Sequence, residues 1–146
     1  MENKILAIIQ ARSSSSRLPN KILKKIHNEE SVVEYLYKKI SNSKLISKTV
    51  IATSSHHSDD KLSILLTKKN IKFYRGNLNN VYKRFIQTVK NYNYEIIVRI
   101  TADCPLIDLN IVESTILNFL NNECEYSSNI LPATFPDGMD VEVFSK

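Results

Sequence analysis

The chain has 146 residues, of which 42% are hydrophobic and 24% charged, a composition typical of one globular domain spanning residues 1–146. No apolar run approaches the ~20 residues that cross a membrane. The apolar stretch near the N-terminus is too short and too early for a secretory signal, so we expect a cytoplasmic protein without membrane contact. Two cysteines and three histidines without metal-ligand spacing argue against a disulfide framework or a zinc site.

The net charge of +5 favours partners that carry phosphate. Nucleic acid and free nucleotide both satisfy this condition, and the charge does not separate them. The sequence has no aromatic-rich RNA-binding signature, which argues against nucleic acid.

Short apolar runs alternate with helical patterns along the chain. Residues 5–9 form a continuous apolar run, typical of a strand buried on both faces. After a serine-rich segment, Ser31 and Glu34 have the spacing of a capping box and predict a helix start. The remaining predicted strands are residues 49–53, 71–74, 95–100, 126–129 and 141–144. The remaining predicted helices begin near residues 58–60, cover 81–92, and begin after a cap at Asp108.

This alternation predicts an α/β fold with a mostly parallel sheet and helices on both faces. In such sheets, ligands bind beyond the carboxyl ends of the strands. Chemistry is therefore expected just after Ile9, Thr53, Tyr74 and Ile100.

The exit of the first strand reads QARSSSSRLPNK, residues 10–21. A loop of this kind can point backbone N–H groups at an anion, while Arg12, Arg17 and Lys21 supply charge. By composition alone, a disordered basic serine loop explains the segment equally well.

The other exits are short and polar. Asp103, after the strand that ends near Ile100, can hold Mg²⁺ or can simply be a turn aspartate before Pro105. Arg99 within that strand needs a partner, either a phosphate or an ion pair. Residues 54–58 can contact a base or cap a helix, and Gly76 can admit a ligand or close a turn.

Taken in order, six segments resemble the cytidylyltransferases of the spore-coat polysaccharide biosynthesis type, with acylneuraminate and 3-deoxy-manno-octulosonate cytidylyltransferases as more distant kin. These segments are IIQARSSSSRLPNKIL, VIATS, FYRGN, VRITADCPLID, YSSN and FPDGMDVEVF. The resemblance implies a three-layer αβα sandwich of the nucleotide-diphospho-sugar transferase, Rossmann-like type. It implies Mg²⁺-dependent transfer of CMP from CTP to a sugar or sugar acid with pyrophosphate release, and a possible homodimer.

The resemblance also implies roles for individual residues. The nucleotide-binding set is Ala11, Arg12, Ser13, Ser15, Arg17, Lys21, Arg75 and Gly76. Arg12, Lys21 and Asp103 fall on catalytic positions, with Asp103 also the metal ligand. The acceptor-binding set is Asn129, Asp137, Asp140 and Glu142.

The sequence departs from the family pattern at several positions. Ser14 and Asn20 stand where the family usually has Gly, and Ser55-His56 stands where it has an aspartate pair. Family members continue beyond the DVEVF segment, so we expect this chain to be the N-terminal portion of the full domain. A truncated or degenerate nucleotide-binding domain without activity is the alternative, and UTP or dTTP is the alternative to CTP.

Overall fold

The computed structural model describes residues 4–14 and 18–146, and within them one six-stranded sheet forms the centre of the fold. Its strands, in chain order, are β1 (Ile5–Gln10), β4 (Lys48–Ser54), β5 (Phe73–Gly76), β6 (Ile96–Thr101), β7 (Tyr126–Ser128) and β8 (Glu142–Ser145). Their spatial order is β5-β4-β1-β6-β8-β7. Neighbouring pairs among β5, β4, β1 and β6 are parallel, whereas β8 is antiparallel to both of its neighbours. The predicted mostly parallel sheet is confirmed.

Four α-helices connect the strands of the described chain: α1 (Val32–Ser41), α2 (Asp60–Lys68), α3 (Val81–Lys90) and α4 (Leu109–Asn121). The predicted capping box begins α1, because the Ser31 N–H donates to Glu34 Oε2 at 2.9 Å and the Glu34 N–H donates to Ser31 Oγ. Asp108 caps α4 as predicted, accepting from the Asn110 N–H at 2.7 Å. A 3-10 turn over His57–Asp59 precedes α2, and the helix begins at Asp60, within the predicted range.

Side chains that alternate along β1 build a core on each face of the sheet. Ile5, Ala7 and Ile9 pack with buried residues of α1, α2 and α4, whereas Leu6 and Ile8 pack with Phe85 and Val89 of α3. Helices therefore cover both faces, and the predicted αβα sandwich is confirmed. The N-terminal turn of α3 lies close to the ends of β1 and β5, because Arg84 packs against Gly76 and lines one cleft together with Gln10.

The pattern did not predict a small hairpin, β2 (Lys25–His27) and β3 (Glu30–Ser31), that precedes α1. Its turn residues, Asn28 and Glu29, have φ of 44° and 63°. This left-handed pair is the geometry of a two-residue hairpin turn, which usually carries Gly at its second position. No helix of the described residues has both the length and the apolar character needed to cross a membrane.

Candidate active site

A cleft of about 380 Å³ opens where β1 and β6 end. The loop after β1, the loop after β6 and the start of α3 supply its walls. The residues that line it are Gln10, Arg12, Ser14, Lys21, Ile22, Val81, Arg84, Arg99, Thr101, Ala102 and Asp103. Of the four strand exits predicted to carry chemistry, those after β1 and β6 therefore meet at this cleft, and four of the lining residues are cations.

Lys21 and Asp103 face each other across this cleft. Lys21 Nζ donates to Asp103 Oδ2 at 2.7 Å, although the two residues are 82 positions apart in sequence. The hydrogen bond from Lys21 is the largest cause that holds the pKa of the Asp103 carboxyl below its usual range. The structure thus brings together two of the residues predicted to be catalytic.

Backbone hydrogen bonds hold the two described ends of the loop after β1. The Asn20 N–H donates to the Ser13 carbonyl at 3.0 Å, which joins the two ends of the serine-rich segment. The Ser13 N–H donates in turn to Asp59 Oδ1 at 2.6 Å. Ser15 and Arg17, both predicted to bind nucleotide, lie outside the described residues.

Asp59 is a fully buried carboxylate that sequence reasoning assigned only to a helix start. Its other oxygen, Oδ2, accepts from the backbone N–H of Ser54 at 3.2 Å and from the Ser54 hydroxyl. Asp59 therefore ties the loop after β1 to the end of β4. Burial raises the pKa of this carboxyl, but the hydrogen bonds from Ser54 and Ser13 outweigh burial, and the pKa lies below its usual value.

Asn20 adopts the left-handed region, with φ 57° and ψ 21°, at one of the two positions where the family usually has Gly. Ser14 does not have a positive φ. The bend into Lys21 therefore depends on a residue type that tolerates this backbone region.

Replacing Asn20 by Val is expected to lower the free energy of unfolding by roughly 1–2 kcal/mol, because a β-branched residue is strained in this region. Asn20→Gly should be tolerated, and Asn93→Val, at an exposed asparagine with ordinary φ, is the control. Urea unfolding of the three variants measures the difference. Equal midpoints for Asn20→Val and Asn93→Val would show that the bend carries no strain.

Arg12 and Arg84 converge on one backbone carbonyl. Arg12 Nη1 and Arg84 Nη1 each donate to the Leu78 carbonyl at 3.2 Å, and Arg84 Nη1 also donates to the Asn77 carbonyl at 2.6 Å. Sequence reasoning missed Arg84. The signal was present: Arg84 is a charged residue on the inward stripe of α3, next to the buried Phe85.

The remaining predicted nucleotide contacts lie around the strand ends. Ala11 is buried and its N–H donates to the Ala52 carbonyl at 3.0 Å, which extends the pairing of β1 with β4. Arg75 donates to the Ser54 carbonyl at 2.9 Å and to Asp60 Oδ1 at 2.7 Å, so it braces the turn before α2. Nucleotide contacts by these residues stay predictions.

Arg99 has the ion pair that its position in an apolar strand required. It lies opposite Glu142 in the pairing of β6 with β8 and donates to Glu142 Oε2. Arg99 Nε donates to Gln10 Oε1 at 3.0 Å, and the Tyr126 hydroxyl donates to Glu142 Oε1 at 2.9 Å. Glu142, a predicted acceptor-binding residue, is therefore linked to the cleft by its ion pair with Arg99, which lines the cleft.

The other predicted acceptor residues belong to the segment between β7 and β8. Asn129 is buried and holds this segment closed, donating to the Met139 carbonyl at 2.7 Å and accepting from the Val141 N–H at 2.8 Å. Asp137 and Asp140 lie near Cys104, in the loop after β6. Burial raises the pKa of the Cys104 thiol, and the negative charges of Asp103, Asp140 and Asp137 raise that pKa further. Acceptor binding by these residues stays a prediction.

Within residues 4–14 and 18–146, no group of three or more His, Cys, Asp or Glu side chains is arranged to hold a metal ion. Asp103 stands at the cleft with its side chain 43% exposed. A metal at Asp103 would therefore need ligands from a bound molecule or from outside the described residues.

The mostly parallel sheet, covered by helices on both faces and open at a basic cleft, is the nucleotidyltransferase type of α/β fold. The sequence matches the cytidylyltransferase family over residues 6–136, and the chain belongs to that family. The resemblance seen in the sequence motifs is confirmed.

Three relatives illustrate the match. A cytidylyltransferase from Leptospira borgpetersenii superimposes with a TM-score of 0.90 and 34% identity, covering 98% of this chain and 60% of the other. The spore coat polysaccharide biosynthesis protein SpsF of Bacillus subtilis is 30% identical over 129 residues, 86% of this chain and 53% of SpsF. A 3-deoxy-manno-octulosonate cytidylyltransferase from Solibacter usitatus is 31% identical over 120 residues, 80% of this chain and 45% of the enzyme. The chain thus spans about half the length of these curated relatives.

Proposed function

We propose that this chain binds CTP in the cleft and supplies the nucleotide-binding part of an enzyme that transfers CMP to a sugar or sugar acid. Family membership supports a cytidylyl donor. The observation that carries the proposal is the contact of Lys21 with Asp103 across a cleft lined by cations. One carboxylate facing several cations is the arrangement that a metal-bound triphosphate requires.

The loop after β1 would hold the triphosphate. Arg12 and Lys21 supply positive charge from its two ends, and its backbone and serine hydroxyls supply donors. Each charge-assisted hydrogen bond contributes roughly 1.5–3 kcal/mol. Because hydrogen bonds of Ser13 and Asn20 hold the two described ends of the loop, these ends would lose little conformational entropy when the phosphates bind.

In the proposed reaction, an acceptor hydroxyl oxygen forms a bond to the α-phosphorus of CTP. The bond from that phosphorus to the bridging oxygen of the β-phosphate breaks, and its electron pair leaves with pyrophosphate. The proton of the acceptor hydroxyl passes to solvent. Arg12 and Lys21 stabilise the charge that develops on the phosphate oxygens, which is the main work left to the protein.

The residues present fit a magnesium ion held by one carboxylate and by nucleotide phosphates. Asp103 is ionised, partly exposed and at the rim of the cleft. Bound there, magnesium would act as a Lewis acid on the phosphate oxygens. Lys21 would then be free to leave Asp103 for a phosphate oxygen, since its side chain is long and flexible.

Acceptor binding would involve the segment between β7 and β8 together with Glu142. Asp137 and Asp140 offer carboxylates for sugar hydroxyls, and Arg99 offers a cation to an acid group of the acceptor. A homodimer also stays a prediction.

Titration calorimetry with CTP, UTP and GTP in the presence of Mg²⁺ tests the proposal. We expect CTP to bind at least roughly tenfold more tightly than the other two, a preference of about 1.4 kcal/mol. Equal affinities for the three nucleotides would contradict the assignment. Pyrophosphate release from CTP in the presence of a sugar-acid acceptor is measured separately. CTP-selective binding without release would identify the chain as a nucleotide-binding portion that lacks activity on its own.

A further inference from the structure

Arg84 is a cation enclosed by the fold. It lies on the inward face of α3 and is only 1% exposed, yet it lines the cleft. Its Nη1 group donates to the carbonyls of Asn77 and Leu78, but its Nε–H is buried without a hydrogen-bond partner. Buried donors are nearly always paired in native proteins, so an unpaired one beside a cavity points to a missing ligand.

The charge of Arg84 has no direct counterion in the described part of the chain. None of the ion pairs among the described residues includes Arg84. Burial lowers the pKa of the Arg84 guanidinium, the positive charge of Arg12 lowers it further, and Asp59 opposes both from a distance. Both Arg12 and Arg84 donate to the Leu78 carbonyl, so two like charges are held side by side. An anion between them would relieve this repulsion.

Gly76 makes room for Arg84. A Cβ atom added at Gly76 would lie 2.9 Å from Arg84 Cγ and 3.2 Å from Arg84 Cα, closer than ordinary packing allows. The glycine at the end of β5 therefore lets α3 bring this side chain to the cleft. Nucleotide binding by Gly76 itself stays a prediction.

We propose that Arg84 and Arg12 form a second anion subsite, which binds a phosphate group of the ligand on the α3 side of the cleft, apart from the Lys21–Asp103 contact. This inference rests on the proposed function only in taking the ligand to be a nucleotide. The subsite itself requires a phosphate-bearing molecule of any kind. Arg84 donates through its Nε–H, and Gly76 is the positioning residue that seats it.

Arg84→Met tests the subsite, with Lys83→Met as the matched control because Lys83 is the adjacent, exposed residue of the same helix. Both variants remove one positive charge. The probes are inorganic tripolyphosphate, CTP and cytidine, measured by titration calorimetry. Arg84→Met should weaken tripolyphosphate and CTP by a similar factor, roughly tenfold or more, since a charge-assisted hydrogen bond is lost. Lys83→Met should leave both within about twofold, because an exposed charge acts weakly.

Cytidine has no phosphate, so its affinity should be the same in Arg84→Met and in the unaltered protein. A loss for cytidine equal to that for CTP would overturn the subsite, as would unchanged tripolyphosphate binding. If thermal unfolding shows that Arg84→Met does not fold, Arg84→Lys is used instead. This variant keeps the positive charge but should still have a lower affinity for tripolyphosphate. An unchanged affinity would overturn the proposal. Tripolyphosphate binding that depends on Arg84, without preference for CTP, would sustain the subsite and reject the cytidylyl assignment.

Discussion

Replacing Asp103 by Asn is expected to abolish the dependence of CTP binding on Mg²⁺. In the presence of Mg²⁺, the affinity of Asp103→Asn for CTP should fall by roughly 10- to 100-fold, because the only carboxylate lining the described cleft is lost. Calorimetric titration of CTP with and without Mg²⁺ measures both states. An undiminished Mg²⁺ effect in this variant would show that the metal is held elsewhere.

Without Mg²⁺, the same substitution should act in the opposite direction. In the structure, Asp103 engages Lys21 at 2.7 Å and adds a negative charge at the rim of the site. Removing that charge frees Lys21 for a phosphate and removes a repulsion, so metal-free CTP should bind as tightly or more tightly. Lys21→Met, in contrast, should weaken CTP in both conditions.

Glu123→Gln, at an exposed position, is the control for a changed net charge. In this variant, Mg²⁺ should change the affinity for CTP by the same factor as in the unaltered protein. A loss of metal-free affinity in Asp103→Asn would mean that Asp103 positions the cleft rather than serving as a metal ligand. A variant that loses CTP affinity with Mg²⁺ but not without it would show that Asp103 acts through its charge rather than by supporting the structure of the cleft.

The sheet was predictable because the main strands are recognisable from their own short segments of sequence. Residues 5–9 are apolar without interruption, residues 96–100 are apolar except for Arg99, and strong caps at Ser31 and Asp108 mark the starts of two helices. The hairpin before α1 was missed because its strands have two and three residues, too few for alternation to show. The direction of β8 was also hidden, since an alternating pattern indicates a strand and not its orientation.

Topology alone predicted that the loops after β1 and β6 meet, whereas the roles of Lys21 and Asp103 were implied by the family resemblance and stay predictions. Lys21 and Asp103 come after neighbouring parallel strands, β1 and β6, whose carboxyl ends meet at one edge of the sheet. Arg84 was missed although its position on the inward stripe of α3 was visible in the sequence, whereas Asp59 was missed because its role depends on a partner distant in sequence. Asp59 resembles any residue that begins a helix until the fold brings Ser13, 46 positions earlier, against its carboxylate.

Asp59→Ala is expected to lower the free energy of unfolding by about 3 kcal/mol, because the buried N–H groups of Ser13 and Ser54 would lose their acceptor. The neighbouring Asp60→Ala is the matched control. Asp60 is exposed and pairs only with Arg75 among the ion pairs of the described chain, so its removal should cost less than about 1 kcal/mol. Urea unfolding at about pH 7 compares the two.

The acid dependence of Asp59→Ala tests the same contact independently. The pKa of Asp59 is lower in the folded chain than its ordinary value of 3.8, so its ionised form stabilises the fold above about pH 4. That contribution is lost as the pH falls through the lower, folded-state pKa. The stability difference between the unaltered protein and Asp59→Ala should therefore narrow below about pH 4.

The free energies of unfolding of Asp59→Ala and Asp60→Ala could instead differ by less than about 1 kcal/mol, the size of a surface ion pair. In that case the buried contact of Asp59 is not what anchors the loop after β1. Where the anchor holds, Asp59→Ala should also weaken CTP under conditions that keep the variant folded, because the Ser13 end of the loop is released. Asp59 would then stabilise the fold and, through the same hydrogen bond, keep the phosphate-binding loop in place before the nucleotide arrives.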